Sequence, residues 1–284
     1  LVVDRVGEDG AEGVLGDADG LGRLVAVVDE LVDDDRDGAG VQATGEGGAH
    51  RHLGLQGKPD RLDGRDTANR QPIFSTILTI TTHPPYEIPE FSSFKPTSTD
   101  KVDATYQYAD WALGRFFDSC STRDWFKNTI FVMCGDHGLN TRQSANDVDM
   151  SYNHIPFFIY APGFLQKNQQ NPAIGMQIDI FPTVMGLLGK PWVNNTLGID
   201  LLRDKRPFAY FSQDTKMGVV DAEHLYVIRK SGSTGLYEWR KDESVNLKNQ
   251  LPDVAREMRD YGCSMLQTSN FVIDRKLTGV WTEE

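Results

Sequence analysis

The chain has 284 residues, a formal net charge of −12 and a sequence pI of about 4.9. This acidity argues against a nucleic-acid backbone as the main partner, because such binding needs clustered lysine and arginine. Three cysteines are too few for a disulfide framework. The sequence contains no run of 18 apolar residues and opens on no secretory signal. We therefore expect a chain without a membrane span.

Residues 1–70 differ in composition from the rest of the chain. They contain no Phe, Tyr or Trp, but they hold 14 of the 27 glycines and carry 16 acidic against 8 basic residues. Only four residues there require a codon that starts with A and none requires one that starts with T, which is a bias in nucleotides. We interpret the segment as translated from a wrong frame or strand. A genuine acidic, disordered tail is the alternative. Little packed structure is expected in either case, although residues 24–32 have the pattern of one short helix or strand.

Residues 71–284 have the pattern of an α/β domain. Residues 72–82 are predicted to form a buried strand, and residues 129–134 are predicted to form a second one. Between them a helix is predicted from Asp100, its N-cap, to about residue 119. Its apolar positions recur at three- and four-residue spacing: Val102, Tyr106, Ala109, Leu113, Phe116 and Phe117. We expect a right-handed β-α-β unit with paired parallel strands.

The remaining predicted elements are shorter. After a polar loop at residues 139–153 come a strand at 157–160, a helix at 177–189 and strands at 208–212 and 225–230. Asp179 is predicted to cap the helix at 177–189, with Pro182 in its first turn and Gly189 at its end. Residues 226–230 and 236–239 flank Ser-Gly-Ser-Thr-Gly, which predicts a hairpin, and a final amphipathic helix is predicted over residues 252–271.

These elements define the predicted fold class and domain organisation. We expect an α/β fold with a mostly parallel sheet flanked by helices, followed by a small C-terminal β-hairpin plus helix. The domain comprises residues 71–284, and residues 1–70 are expected to be largely disordered or mistranslated.

A candidate metal pair follows the second predicted strand. The apolar run 129–134 ends abruptly in Gly135-Asp136-His137-Gly138, where two glycines allow a sharp turn. Open α/β sheets bind their ligands at the carboxyl ends of the strands. An Asp oxygen beside a His nitrogen suits a divalent metal such as zinc or manganese. The alternative is a turn aspartate next to a surface histidine.

Two further histidines occupy comparable places. His83 follows the first predicted strand, where Pro84 and Pro85 stop any regular element. His154 introduces the strand at 157–160, a position where a structural, hydrogen-bonded histidine is the usual alternative. Because all these turns lie at strand ends, we expect one pocket to collect them.

Six stretches together resemble a known family in their order and spacing. They are residues 71–86, 108–117, 125–138, 154–163, 179–183 and 265–268. They resemble the sulfatase-like domain of the alkaline phosphatase superfamily, particularly its lipoteichoic acid synthase and phosphoglycerol transferase branch. The resemblance starts at residue 71, extends over roughly 200 residues and corresponds to the carboxyl-terminal two-thirds of a sulfatase-like domain.

The resemblance implies a metal-dependent phosphotransferase or a sulfuric or phosphoric ester hydrolase. Asp136 and His137 would bind one divalent metal, which could be Mn, Zn, Mg or Ca. His83 would lie near the substrate phosphate and His154 would help to hold the transferred group, so both are candidate catalytic and substrate-binding residues. The implied substrates are anionic phospho- or sulfo-esters such as phosphoglycerol-type lipids. The implied location is the extracytoplasmic face of the cell membrane or the periplasm, with membrane association only in a full-length relative.

The sequence also departs from the family. Relatives place a threonine nucleophile and an acidic metal ligand upstream of the turn that contains His83. Here that place is taken by the composition-biased segment, whose Thr44 and Thr67 lie in no recognisable motif, so the nucleophile is unknown. Two ligands are fewer than a metal site normally needs, and we expect weak metal binding and little turnover. A catalytically inactive sulfatase-like fragment and an α/β domain with structural histidines are the alternatives.

Overall fold

The computed structural model describes residues 23–29, 73–79, 81–90, 92–139, 148–165, 170–213, 215–241 and 244–277. The chain divides into two compact units, each built around its own sheet. The amino-terminal unit comprises residues 2–138 and 155–169, and the carboxyl-terminal unit comprises residues 139–154 and 170–284. The predicted boundary at residue 70 falls outside the described residues and stays a prediction.

The sheet of the amino-terminal unit has four strands in the order β2-β1-β3-β4. Its strands are β1 (Arg23–Asp29), β2 (Ile73–Thr79), β3 (Thr129–Gly135) and β4 (Phe157–Tyr160). β1 pairs in parallel with β2 on one side and with β3 on the other, and β4 pairs antiparallel with β3. The carboxyl ends of β1, β2 and β3 therefore lie at one edge of this sheet.

The central position of β1 corrects one expectation. The sequence analysis allowed one short helix or strand at residues 24–32, and β1 is a strand in this stretch, inserted between β2 and β3. β2 and β3 run in the same direction, as predicted, but they do not pair with each other directly. Most of the segment 1–70, where little packed structure is expected, lies outside the described residues.

Helix α1 (Lys101–Ser121) connects β2 to β3 and packs on the sheet. Its predicted N-cap is confirmed, since the Asp100 carboxylate accepts a hydrogen bond from the Asp103 amide at 3.0 Å. The buried face differs from the predicted stripe. It consists of Ala104, Thr105, Tyr108, Ala112, Phe116 and Cys120. Tyr106 is 39% exposed, because α1 is apolar on more than one side and spacing alone does not choose the side that meets the sheet.

β3 is buried along almost its whole length, as the sequence predicted. A short 3-10 helix (Phe126–Asn128) leads into it, and the Thr129 hydroxyl donates to the Trp125 carbonyl at 2.8 Å. Ile130 and Phe131 are almost fully buried, and Phe131 packs against α1 in the core of this unit. This packing fixes the strand end that presents Asp136 and His137.

The carboxyl-terminal unit contains a four-stranded antiparallel sheet in chain order. Its strands are β5 (Ala209–Gln213), β6 (Lys216–Val220), β7 (His224–Arg229) and β8 (Thr234–Glu238). The predicted hairpin is confirmed as β7 and β8, but the sheet is larger than that hairpin. The sequence analysis missed β6, which contains Gly218. There the Phe211 ring occupies the space beside the glycine, 2.4 Å from where a Cβ would lie.

Helix α4 (Pro252–Asp274) covers one face of this sheet. Met258 packs in this contact and is fully buried, whereas Leu266 is 41% exposed. Gly262 brings the helix close to β6, because a Cβ there would lie 2.4 Å from Val219 Cγ2. Hydrophobic spacing does not reveal such a glycine, because its role is to let the helix approach the strand and not to contribute apolar surface.

Three short helical segments complete the carboxyl-terminal unit. They are α2 (Met150–Asn153), a 3-10 helix (Gln177–Asp179) and α3 (Ile180–Leu188). Gly189 ends α3 in the left-handed conformation with φ of 63°, as predicted. Asp179 occupies the N-cap position of α3, as predicted, but its side chain makes no cap hydrogen bond to that helix. Its buried carboxylate accepts hydrogen bonds from the Met176 and Ile199 amides and pairs with Arg206.

Candidate functional site

Asp136 and His137 lie directly after β3, at the edge where the parallel strands end. The Asp136 Oδ1 atom accepts a hydrogen bond from the His137 amide at 2.7 Å, which folds the carboxylate back over the turn. The Asp136 Oδ2 atom lies 3.9 Å from His137 Nε2. Both side chains are accessible, with 27% of Asp136 and 21% of His137 exposed. The structure therefore brings the two predicted metal ligands together within reach of solvent.

The orientation of the His137 ring suits a metal ligand. Its Nδ1 atom lies 2.9 Å from the Gly138 carbonyl oxygen. A carbonyl oxygen can only accept, so Nδ1 donates this hydrogen bond, and Nε2 is the ring nitrogen on the side of the Asp136 carboxylate. This is the usual arrangement of metal-binding histidines, whose second nitrogen donates to a carbonyl or carboxylate. A zinc-type ion bonds to such atoms at about 2.0–2.2 Å, so one ion can span the observed distance.

The pair falls short of a complete metal site. Across the part of the chain that the structure describes, no group of three or more His, Cys, Asp and Glu side chains is arranged to hold a metal ion. The donor types and the ring orientation fit a divalent metal, but the number of side-chain ligands does not reach the usual three or four.

Gly135 contributes less to this turn than the sequence suggested. A Cβ at Gly135 would meet Ile155 Cβ and Pro156 Cδ at 3.5 Å, which is an ordinary contact, and its φ is not positive. The Gly135 amide donates to the Pro156 carbonyl at 3.2 Å. The segment that precedes β4 therefore fixes the end of β3, and the turn does not depend on glycine at position 135.

His83 follows β2 in a tight turn at the same edge of the sheet. The Tyr86 amide donates to the His83 carbonyl at 2.9 Å, and the peptide bond between Pro84 and Pro85 is cis. The His83 Nδ1 atom lies 2.7 Å from the Pro84 carbonyl oxygen and donates to it, so Nε2 is the ring nitrogen that takes no part in this bond. His83, Asp136 and His137 all belong to the amino-terminal unit.

His154 belongs to the carboxyl-terminal unit, where its ring packs edge to face on Trp239 with 6.1 Å between the ring centroids. Its amide donates to the Met150 carbonyl at 2.8 Å and ends α2. Burial lowers the pKa of His154, and the positive charge of Arg240 acts in the same direction. The expectation that one pocket collects His154 with the other three residues stays a prediction.

Asp29 is a candidate that the sequence analysis missed. It is the last residue of β1, and its backbone pairs in register with Thr79 of β2 and Gly135 of β3. A carboxylate residue thus ends the strand next to the one that Asp136 follows. The signal was present, because an apolar run followed by an acidic residue repeats the pattern of residues 129–136. The biased composition of residues 1–70 obscures this signal.

A separate groove lies beside α1 in the amino-terminal unit. Ser93, Trp111, Arg115 and Ser119 form its walls. Neither His83 nor the Asp136–His137 pair borders it, so this groove is not the predicted site.

The fold is that of the alkaline phosphatase superfamily. A protein of this superfamily from Vibrio parahaemolyticus aligns with 88% of this chain and 66% of its own, with a TM-score of 0.63 and 20% identity. The lipoteichoic acid synthase LtaP from Listeria monocytogenes aligns with 90% of this chain and 71% of its own, with a TM-score of 0.62 and 16% identity. At such low identity this likeness shows the fold alone.

The family is indicated by sequence. The Sulfatase family model matches residues 60–190, which begins eleven residues before the predicted resemblance and includes all four candidate site residues. The lipoteichoic acid synthase-like protein YvgJ of Bacillus subtilis is 30% identical over 161 residues, covering 49% of this chain and 26% of its own length. Arylsulfatase K of Gallus gallus is 31% identical over 97 residues, covering 33% and 18%. Residues 60–190 are therefore similar to the sulfatase family.

The chain spans about a quarter of the length of the curated lipoteichoic acid synthase relatives that it matches. Among the described residues, no helix is both long and apolar enough to cross a bilayer.

Proposed function

We propose that this chain belongs to a metal-dependent enzyme that transfers or hydrolyses an anionic phospho- or sulfo-ester. The observation that supports the proposal most strongly is the arrangement of Asp136 and His137. A histidine nitrogen and a carboxylate oxygen, which are both common metal-ligand atoms, lie 3.9 Å apart at the carboxyl edge of the sheet. One divalent cation can bind both atoms across this distance.

Asp136 and His137 would hold the divalent metal, whose identity among Mn, Zn, Mg and Ca stays open. When bound, such a metal acts as a Lewis acid towards ester oxygens and lowers the pKa of a coordinated nucleophile. The identity of the nucleophile stays open, and Thr44 and Thr67 lie outside the described residues.

The histidines would act on the ester itself. His83 holds its proton on Nδ1 against the Pro84 carbonyl, so its Nε2 atom is the nitrogen that would meet the substrate. His154 is kept neutral by its lowered pKa, and a neutral imidazole can hydrogen-bond an ester oxygen or exchange a proton with a leaving group. The role of His154 rests on the resemblance to the family.

The substrate class and the location follow from the relatives. Lipoteichoic acid synthases and an arylsulfatase both occur among the similar proteins, so we propose a phosphoglycerol-type lipid or a sulfate ester as the substrate. The same relatives support an extracytoplasmic location at the cell envelope. Membrane association is proposed only for a full-length relative.

The test measures metal binding and ester cleavage in the same preparations. Mn²⁺ is titrated calorimetrically into the wild-type chain, Asp136→Asn, His137→Gln and, as a control in the same unit, Asp118→Asn. Asp118 carries an exposed carboxylate that pairs with Arg115 along α1. We expect each site variant to weaken Mn²⁺ binding by about tenfold or more, since even outer-shell changes cost 10–100-fold. The control is expected to match the wild type.

Cleavage of bis(4-nitrophenyl) phosphate and 4-nitrophenyl sulfate with Mn²⁺ then separates the candidate functions. Metal-dependent turnover of either ester that is lost in Asp136→Asn supports the enzyme, and the preferred ester identifies the class. Metal binding without turnover points to the inactive sulfatase-like fragment. Equal Mn²⁺ binding by all four proteins would contradict the metal site.

A further inference from the structure

The contact between His154 and Trp239 belongs to a larger arrangement in the carboxyl-terminal unit. The Arg240 guanidinium carbon lies 4.2 Å from the centroid of the Trp239 ring, and the His154 ring meets the same indole edge to face. Imidazole, indole and guanidinium therefore form one contiguous group. A guanidinium over an indole face is an attractive cation–π contact.

Two hydrogen bonds fix this group to the turn between β6 and β7. The Trp239 Nε1 atom donates to the Asp221 carbonyl at 3.1 Å, and the Arg240 Nε atom donates to the Ala222 carbonyl at 2.8 Å. Both residues directly follow β8, so two adjacent side chains clamp one turn. The indole is thus held by its polar nitrogen as well as by its faces, and its orientation is defined.

The segment that contains His154 is anchored on the same sheet. Val148 is buried against β5, β6 and β7, and Trp239 and Met150 pack around that cluster. The Asn153 side-chain nitrogen Nδ2 donates to the Asp149 carbonyl at 3.0 Å and lies 3.5 Å from the side-chain oxygen Oε1 of Gln213 in β5. The backbone before His154 is therefore fixed to the sheet, and Trp239 contacts the ring that emerges from it.

The carboxylates on the segments that adjoin this group are engaged with other partners. The Asp149 carboxylate accepts from the Ser151 amide, and the Asp221 carboxylate accepts from the amides of Glu223 and His224. The Glu238 carboxylate pairs with Lys241. Arg240 is the cation among the described neighbours whose charge lowers the pKa of His154.

We propose that Trp239 and Arg240 are positioning residues for His154: the indole sets the orientation of the imidazole, and the guanidinium, which stacks on the indole, holds the indole in place. The catalytic consequence rests on the proposed function, in which His154 meets the transferred group. The carboxyl-terminal sheet then serves as the platform that presents a substrate-binding histidine.

The test follows the His154 ring by NMR during a pH titration. Trp239→Ala is expected to shift the His154 Cε1–H resonance through loss of the indole ring current and to raise the pKa of His154 towards its ordinary value. Arg240→Gln is expected to raise that pKa as well, whereas Arg240→Lys keeps it close to the wild-type value. Trp192→Ala is the matched control, because this half-buried indole of the same unit packs on Phe181 instead.

A second variant keeps the test decisive if Trp239→Ala does not fold. Trp239→Phe retains a ring but loses the indole nitrogen, and it replaces Trp239→Ala if near-ultraviolet circular dichroism shows that the alanine variant does not fold. An unchanged His154 resonance and pKa in the folded Trp239 and Arg240 variants would overturn the proposal.

Ester cleavage separates this proposal from the proposed function. If Trp239→Ala lowers kcat with little change in KM while His154→Ala abolishes turnover, both proposals are supported. If the NMR shifts occur but His154→Ala leaves cleavage intact, positioning stands and the catalytic role of His154 fails. If His154→Ala abolishes cleavage while the NMR signals of the Trp239 variants stay unchanged, only positioning fails.

Discussion

The two units each place an aspartate beside a cationic or potentially cationic side chain, and the two arrangements differ. In the amino-terminal unit, Asp136 and His137 are partly exposed and their closest oxygen–nitrogen pair is 3.9 Å apart. In the carboxyl-terminal unit, Asp179 is fully buried and only 3% of the Arg206 side chain is exposed. One pair is open to a ligand, and the other is enclosed.

The hydrogen bonds of the buried pair explain this difference. Asp179 accepts from two backbone amides and from two nitrogens of Arg206, which also donates to the Tyr261 hydroxyl and the Leu197 carbonyl. Such an arrangement holds the chain together and has no position for a substrate. Both aspartates have a basic neighbour, but their roles differ. The carboxylate at the end of a parallel strand is accessible to a ligand, whereas the buried carboxylate connects the start of a helix to a neighbouring loop.

Removing the enclosed pair has the largest expected effect. Asp179→Ala leaves Arg206 buried without its carboxylate, which costs about 3–5 kcal/mol when one partner of a buried pair is lost. Urea unfolding followed by circular dichroism measures this change. The control, Asp253→Ala, removes one partner of the exposed pair with Arg256 and is expected to leave the midpoint nearly unchanged. A loss of less than about 1 kcal/mol in Asp179→Ala would show that the pair does not stabilise the fold.

Two helix glycines sharpen the comparison of packing in the two units. Gly262→Ala places a Cβ 2.4 Å from Val219 Cγ2, and we expect a loss of about 1–3 kcal/mol as the helix is pushed off β6. Gly114 of α1 has nothing within 4 Å of its added Cβ. Gly114→Ala is therefore expected to stabilise the chain by about 0.5–1 kcal/mol through its helix propensity. Thermal unfolding of both variants checks the signs, and equal signs would contradict this packing.

The smallest effect is the pH dependence of stability that comes from His154. Its pKa in the folded chain lies below that of the unfolded chain, so the unfolded chain binds a proton first as the pH falls. Stability is then lost as the pH drops through the ordinary histidine pKa near 6.5, and the loss levels off below the folded pKa. Urea midpoints of the wild type and His154→Gln between pH 8 and pH 5 measure this. An identical pH dependence in both proteins would contradict the lowered pKa.

Much of the amino-terminal fold was predictable from local pattern. The buried run that became β3 and the Asp100 cap of α1 required only hydrophobic spacing and one side-chain oxygen. β1 was harder, because its role depends on pairing with two strands that lie far along the chain. β6 was missed for a related reason. A glycine in a strand interior weakens the local strand pattern, and Gly218 fits in β6 because the Phe211 ring of the neighbouring strand β5 fills the space beside it.

The candidate site was predictable where it is local in sequence. Asp136 and His137 are adjacent residues, and their turn follows from the end of a buried strand. Asp29 could not be placed without knowing that β1 joins the same edge. Trp239 lies 85 residues beyond His154 in the chain, and nothing in the sequence links their rings.

The metal position is the central claim, and anomalous X-ray scattering tests it most directly. Crystals of the wild-type chain are soaked in Mn²⁺, and data are collected on both sides of the manganese absorption edge. The account predicts an anomalous peak between Asp136 Oδ2 and His137 Nε2, bonded to both at about 2.0–2.3 Å. A map without a peak at this pair under saturating Mn²⁺, or with its only peak elsewhere, would contradict it.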